Sequence, residues 1–291
     1  MTVNILDSHF RARFEARQLA PVDAAPTPLP GWNAICRDDG GGIGLAKGWF
    51  IVVGGNPKFG KSILALNLAS KAMEAGERVG FVSLEMSPEQ LAARFYAMAS
   101  STPVRMLEKG GFTSEHFALV WNKIRPTSNG YELYVTDTPL SDLAGVLTDL
   151  RDMNGFGIRW FVVDYLQLVG LGDEEEINRQ VSRVTSELAY FAKESGSTVI
   201  ALSQFNRQTS KDYSQPPRAQ GLHGGMIVEA TADQVILLDH SRYEKAESKA
   251  KSWLIVDLNR HGESGSIPIE WDYSTLRIRE GLQDEERLWP T

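Results

Sequence analysis

The residues best suited to chemistry lie in one short run. Gly55-Asn56-Pro57-Lys58-Phe59-Gly60-Lys61-Ser62 has the spacing G-x-x-x-x-G-K-[ST]. Such a run lets backbone N–H groups turn inward around phosphates at a helix N-terminus. Lys61 then reaches the β- and γ-phosphates, and the Ser62 hydroxyl ligates Mg²⁺. The surroundings agree with the motif. An apolar run, Trp49 to Val53, leads into it, and Ile63, Leu64, Leu66, Leu68 and Ala69 follow at helical spacing. Strand, loop and helix in that order are the context the motif needs. Gly55 to Ile63 are therefore expected to bind a nucleoside triphosphate, ATP, with Mg²⁺.

Hydrolysis needs more than a cradle. Phe161-Val162-Val163-Asp164 is an apolar strand ending in an acid, and a carboxylate at the carboxyl end of a buried parallel strand can hold Mg²⁺ beside the loop. A second group must position or deprotonate the attacking water. Glu85, after the strand Gly80 to Leu84, can face the γ-phosphate. It reads equally well as an acid before the helix that begins at Ser87-Pro88-Glu89, since acids favour helix N-termini. Gln204 ends the apolar run Thr198 to Ser203, where a neutral amide can sense the γ-phosphate and relay its loss. Residues 205–230 follow as a long loop with Arg207, Lys211, Arg218 and His223, and with Gly221, Gly224 and Gly225. Cationic groups beside exposed backbone N–H suit a phosphodiester chain, and loops of this length in compact domains are usually functional or disordered. Arg260 precedes a Gly-rich turn, His261 to Gly265, and spacing alone assigns it no site. Asp173-Glu174-Glu175-Glu176 reads as an acidic helix start rather than a metal site.

The elements that must position these groups alternate along most of the chain. Strands are expected near 49–54, 79–84, 131–136, 159–164, 198–203 and 233–238, and helices near 61–75, 88–100, 114–124, 141–153 and 177–194. That alternation marks an α/β fold with a mostly parallel twisted sheet flanked by helices. The end differs: 252–258, 266–271 and 275–279 alternate apolar and polar residues, as antiparallel strands extending the sheet would. Before the alternation begins, residues 8–19 read as a short charged helix. Residues 20–31, with four prolines, read as a linker. The division expected is an arm and linker over 1–31, the helix serving to dock on a neighbouring subunit, and one ATPase domain over 32–291.

Composition narrows the classes further. Of 291 residues, 42% are hydrophobic, ample for a sizeable core. A formal net charge of −7 argues against coating nucleic acid by bulk charge and leaves only a local basic groove or pore. Cys36 is the single cysteine, which excludes an internal disulfide and makes no cysteine-based zinc site. No run is long and apolar enough for a membrane span, and residues 1–17 have no signal-peptide core. A cytoplasmic protein with no membrane partner is expected.

Several runs together narrow the reading beyond a nucleotide site. Ser83-Leu84-Glu85-Met86-Ser87 with Gln90-Leu91 and Arg94, Val163-Asp164-Tyr165-Leu166-Gln167-Leu168, Asp137-Thr138-Pro139, Asn178-Arg179-Gln180 and Ala201-Leu202-Ser203-Gln204-Phe205-Asn206-Arg207 resemble the RecA-like motor domain of the DnaB-type replicative helicases. The likeness spans about residues 30–279. It implies a RecA-like P-loop NTPase, Glu85 as the catalytic base, Gln204 as γ-phosphate sensor, and Arg260 as a finger reaching a neighbour's site. It also implies a homo-oligomer, a hexameric ring around single-stranded DNA, with Arg207, Arg218, His223, Gly224 and Gly225 facing the pore. A helicase loader or primase would be a further partner. In the family a lysine usually stands two residues before the finger, where this chain has Leu258. An arginine and a glutamate usually stand where His223 and Gly224 align, so the DNA grip should lean on backbone amides. The family's helical N-terminal domain, with its primase-docking collar, has no counterpart in the first thirty residues, which gives the chain the look of a phage or mobile-element protein. Outside this family, a recombination or regulatory ATPase of the RecA, RadA or KaiC kind is the alternative.

Overall fold

A computed structural model describes residues 24–36, 44–108, 113–124, 132–137, 142–164, 166, 174–206, 209, 216–240 and 252–281. Its centre is β3 (Phe50–Gly55), buried along its whole length. Alternate side chains of a strand face opposite sides of a sheet. Accordingly Ile51 and Val53 pack into one core and Phe50 and Val52 into another. A sheet covered on both faces needs such unbroken apolar runs, and β4 (Val79–Ser83), β6 (Trp160–Asp164) and β8 (Gln234–Asp239) are likewise buried throughout.

With β5 (Leu133–Asp137), β7 (Thr198–Gln204), β9 (Ser252–Asn259), β10 (Gly265–Asp272) and β11 (Arg277–Glu280), these strands form one sheet in the order β11-β10-β9-β8-β3-β7-β6-β4-β5. From β8 to β5 every pairing is parallel, and from β8 to β11 every pairing is antiparallel. This is the expected RecA-like arrangement, with the antiparallel extension at the C-terminal end. The first core is roofed by α2 (Lys61–Glu74) and α3 (Pro88–Ser100), the second by α6 (Leu143–Gly155) and α7 (Glu174–Ser195). On α7, buried Val181, Val184, Leu188, Phe191 and Ala192 make the stripe that a 3.6-residue period requires. Two further helices, α4 (Val104–Glu108) and α5 (Ser114–Ile124), lie beside α3.

Two features differ from the sequence-level expectation. The stretch read as a linker is partly built into the core. β1 (Ala24–Ala25) pairs with β2 (Leu45–Ala46), and α1 (Pro30–Ile35) runs across the expected 31/32 boundary with Leu29 and Trp32 fully buried. Prolines signalled a linker, but Pro30 is a helix-starting residue, suited to the first turn because its missing N–H would be unpaired there anyway. The long segment 205–230 also contains structure: a 3₁₀ turn at Ala219–Gly221 and α8 (Gly225–Thr231). The arm, residues 8–19, lies outside the described residues, as do Asp173, Arg207 and Lys211.

Candidate active site

Parallel sheets bind ligands at the carboxyl ends of their strands, and there the expected groups converge. Gly55 is in register with Gln204 on β7, and Ser83 with Asp164 on β6. Gly60 takes a left-handed conformation, φ +85°, and is the N-cap of α2. The Leu64 N–H donates to its carbonyl at 2.8 Å, so the helix starts from the loop itself. Pro57 and Lys58 are exposed, Phe59 and Gly60 half-buried, and Ile63 packs against the first core.

Lys61 is folded under this loop. Its ammonium donates to the carbonyls of Gly55 and Asn56, both at 3.0 Å, and only 7% of the residue is exposed. Burial pushes its pKa down to about 8, against the opposing pull of Asp164 and then Glu85. Asp164 is 1% exposed, and burial pushes its pKa up to about 6 although the Ser62 hydroxyl donates to it and Lys61 and Arg94 draw it down. For both members of this pair, desolvation outweighs mutual attraction. One carboxylate oxygen of Asp164, Oδ2, is buried without a hydrogen-bond partner. A buried acceptor beside a hydroxyl at the mouth of a phosphate loop fits a hard divalent cation, so the residues suit Mg²⁺, with Ser62 and Asp164 to hold it.

Glu85 is exposed at the end of β4. Its placement follows from the turn that contains it. The Leu84 N–H donates to the Asp164 carbonyl at 2.8 Å, extending the β4–β6 ladder. Ser83 Oγ then donates to the Met86 carbonyl at 2.7 Å and accepts from the Met86 N–H at 3.1 Å. Immediately after, Ser87 caps α3 in a reciprocal capping box with Gln90. Glu85 is thus outside the helix, near enough to Asp164 and Lys61 to influence both.

Gln204 is half-buried and joined to the next segment through its backbone, its carbonyl accepting from the His223 N–H at 3.2 Å. The Asn206 N–H donates to the Gly221 carbonyl at 2.9 Å, and Phe205 bridges Leu222. The long loop therefore returns antiparallel along the extension of β7. His223 Nδ1 and the Gly224 N–H both meet Asn178 Oδ1 on α7, at 3.0 and 3.2 Å. Gly225 has a packing reason of its own: a Cβ there would lie 2.7 Å from the carbonyl oxygens of Ala219 and Gln220. Arg218 pairs with Asp257 at 2.8 Å.

Arg260 is at the opposite end of the sheet from the loop of its own chain. Its N–H donates to the Asp233 carbonyl just before β8. Its guanidinium donates to the carbonyls of Ala232 (2.8 Å), Ala230 (2.9 Å) and Glu229 (3.0 Å). Glu229 and Ala230 are in the last turn of α8, whose carbonyls have no partner within the helix, and Ala232 is its C-cap. Leu258, where the family's lysine was expected, packs against the second core.

Two residues that shape the site were not singled out from sequence. His240 follows β8 and is buried, with its pKa drawn below the ordinary histidine range by desolvation. A neutral imidazole carries one proton. Since the Phe59 carbonyl can only accept, Nε2 donates to it (3.0 Å), and Nδ1 accepts from the Ser252 hydroxyl (3.0 Å). The ring also stacks on Trp271 at 5.9 Å, and a Cβ on Gly60 would fall 2.7 Å from the Trp271 indole. His240 and Trp271 hold the phosphate loop from behind. The polar pair Asp239-His240 closing the apolar run 235–238 was the available signal for His240; nothing local marks Trp271.

The fold and the converged groups define a RecA-like P-loop ATPase. The chain belongs to the DnaB-like helicase C-terminal domain family, whose model matches residues 39–280. A probable plasmid replicative DNA helicase of Chlamydia psittaci is 29% identical over 273 residues, covering 92% of this chain and 58% of that protein. The replicative DNA helicase DnaB of Leifsonia xyli is 32% identical over 234 residues, 78% of this chain and 50% of the relative. The chain thus spans about half the length of the curated relatives it matches. Among solved structures, the ATPase domain of G40P superposes with a TM-score of 0.78 at 22% identity, over 96% of this chain and 99% of that one. A structure described as a DnaB-like replicative helicase and its interactions with primase reaches 0.77 at 21% identity, over 94% of this chain and 68% of that chain. The KaiC-like protein PH0186 of Pyrococcus horikoshii OT3 is less similar, 0.59 at 19% identity, over 90% of this chain and all of that one. At these identities the solved structures establish the fold.

Proposed function

We propose that this chain is the ATP-hydrolysing motor of a DnaB-type helicase, moving on single-stranded DNA and separating duplex as a ring, a hexamer of this chain. The observation that carries the reading is one continuous path. It runs from the phosphate loop at Gly55, across its register partner Gln204, to His223 and the loop return behind it. A γ-phosphate sensed at Gln204 is thereby linked through one backbone hydrogen bond to the segment that would face DNA.

Each residue then has a chemical task. Lys61 leaves the carbonyls of Gly55 and Asn56 and places its charge on the β- and γ-phosphates. Ser62 and Asp164 would hold Mg²⁺, which neutralises charge on the phosphate oxygens. Glu85 accepts the proton of the attacking water, a role supported by its exposed position outside α3 and its influence on Lys61 and Asp164. Arg260 supplies positive charge to a neighbouring subunit's transition state, a contribution worth roughly 10³–10⁵ in rate where fingers have been removed. Its distance from its own loop agrees with a task in trans, and a head-to-tail interface that closes into a ring allows it. Arg207, Arg218, His223, Gly224 and Gly225 would line the path of the DNA, whose grip is expected to be salt-sensitive and weakly sequence-selective. A loader or a primase would be the external partner, and the cytoplasm the place of action.

The deciding experiment is unwinding of a forked DNA with a 5′ single-stranded tail, with Lys61→Ala as control. ATP-dependent unwinding that the variant loses supports the reading. Hydrolysis that DNA leaves unchanged, with no unwinding, would replace it by the regulatory ATPase that the KaiC-like similarity represents.

A further inference from the structure

Strand β9 contains an irregularity with a definite location. Ile236 pairs with Val256 and Val235 with Leu258, so β9 carries one extra residue, Asp257, between the two pairs. A bulge of this kind breaks the alternation of faces and re-aims side chains. Up to Val256 the strand alternates regularly, with Leu254 and Val256 in the first core and Trp253 and Ile255 in the second. Beyond the bulge Leu258 also packs against the second core, where regular alternation would have put it in the first. The second core is the one that contains Ala219, Leu222 and Val228, from the loop return and α8.

Asp257 keeps the face of Trp253 and Ile255, that of the second core, and there holds two donors. Oδ1 accepts from Arg218 at 2.8 Å, and Oδ2 accepts from the Ala219 N–H at 2.7 Å. Its side chain is 6% exposed, whereas that of Arg218 is 66% exposed. The carboxylate is therefore the buried anchor and the guanidinium the outer arm. Three residues further on, Arg260 grips the carbonyls that end α8. The end of β9 thus holds segment 218–232 at both ends, Asp257 where it begins and Arg260 where it finishes. Between these ties the segment is compact, because Gly225 presses on the carbonyls of Ala219 and Gln220.

We propose that Asp257 is a positioning residue for Arg260: its carboxylate ties the return of the DNA loop to the strand end that carries the arginine, so that the two move as one unit. DNA held by the loop then sets where the arginine is presented to the adjoining subunit, and cutting the tie at Asp257 leaves the loop free to respond without the strand. This rests on the proposed motor function, with Arg260 acting in trans.

The test compares the unmodified chain with Asp257→Ala and Asp257→Asn. It reads turnover without DNA, turnover at saturating oligo-dT, oligo-dT affinity and melting temperature. Basal turnover and affinity should stay within about twofold. The stimulation by saturating DNA should fall by roughly 2- to 30-fold in Asp257→Ala, the range that couplings of this kind span. Asp257→Asn keeps the shape and an oxygen for the Ala219 N–H, so it should lose less; it also serves as the folded test if the alanine variant does not fold. Unchanged stimulation in either folded variant would overturn the proposal. So would a loss of stimulation that merely parallels lost basal turnover and stability, because that is a packing defect. Failure of DNA to stimulate the unmodified chain would bring down the motor reading itself, and this inference with it.

Discussion

At the scale of single residues, the site is a place where burial and charge oppose each other. Lys61 and Asp164 are both held where their charged forms are disfavoured. A bound triphosphate and Mg²⁺ would supply the charges that relieve each of them. Without these ligands, an Asp164 whose pKa rises from 3.8 to about 6 on folding opposes stability once it ionises. The native state binds this proton more tightly than the unfolded chain, so the contribution is absent in acid below the ordinary carboxylate range. It grows as pH rises and is complete above about 6, with an upper bound of about 3 kcal/mol. Asp164→Asn should therefore raise the melting temperature of the nucleotide-free protein at pH 8, with the advantage vanishing below about pH 4; a melting series over pH checks it. Lys61→Ala should reduce ATP turnover by on the order of 100-fold or more, since the transition state loses its phosphate clamp. Turnover close to that of the unmodified chain would remove Lys61 from the site.

The elements explain why these groups stay in place. The phosphate loop is held between β3, which delivers Gly55, and the His240–Trp271 pair behind Gly60. Gly60→Ala would add a Cβ at φ +85° and 2.7 Å from the Trp271 indole. The backbone penalty alone is about 1–2 kcal/mol. Nucleotide affinity should fall with stability, and Trp271→Ala in the same chain should recover the part due to contact but not the part due to backbone; calorimetric titration with ATP separates the two. At the start of β8, the far end of the strand from His240, Gln234 is fully buried and accepts from Trp32 Nε1 at 3.3 Å while donating to Cys36 Sγ and Asn259 Oδ1. Helix α1 is therefore part of the first core. Trp32→Ala should cost about 3–5 kcal/mol, visible as an earlier midpoint in urea denaturation.

For the molecule as a whole, the position of Arg260 leads to a prediction with two parts. As the cap of α8 it acts within its own chain, and Arg260→Ala should lower stability by about 1 kcal/mol through lost interaction with the helix C-terminus. As the proposed finger it would act on a neighbour, and the same variant should bind ATP nearly normally while turnover collapses. Mixing Arg260→Ala subunits with Glu85→Ala subunits separates the roles. Rings in which an intact site meets an intact arginine across one boundary should recover activity above either parent. If mixtures stay at the level of the parents, the arginine does not act across subunits. Full activity of Arg260→Ala would show that the finger is another residue.

Much of this protein was legible from local order. The phosphate loop, the strand ending at Asp164, the turn at Glu85 and Gln204 at the end of β7 are contiguous runs whose spacing carries their chemistry. The alternation of strands and helices follows from residues close in sequence, and so does the family likeness. Tertiary structure decided whatever depends on distant partners. Pro30 and Trp32 belong to a core helix because Gln234 and Asn259 lie beneath them, two hundred residues away in the chain. The phosphate loop leans on His240 and Trp271, which no local pattern joins to it. Asp257 meets Arg218 and Ala219 only because the loop return folds back beside β9. Period and motif report what a segment can do alone; register, burial and long-range contact exist only once the chain has closed on itself, since the energy that selects them belongs to pairs of residues far apart in sequence.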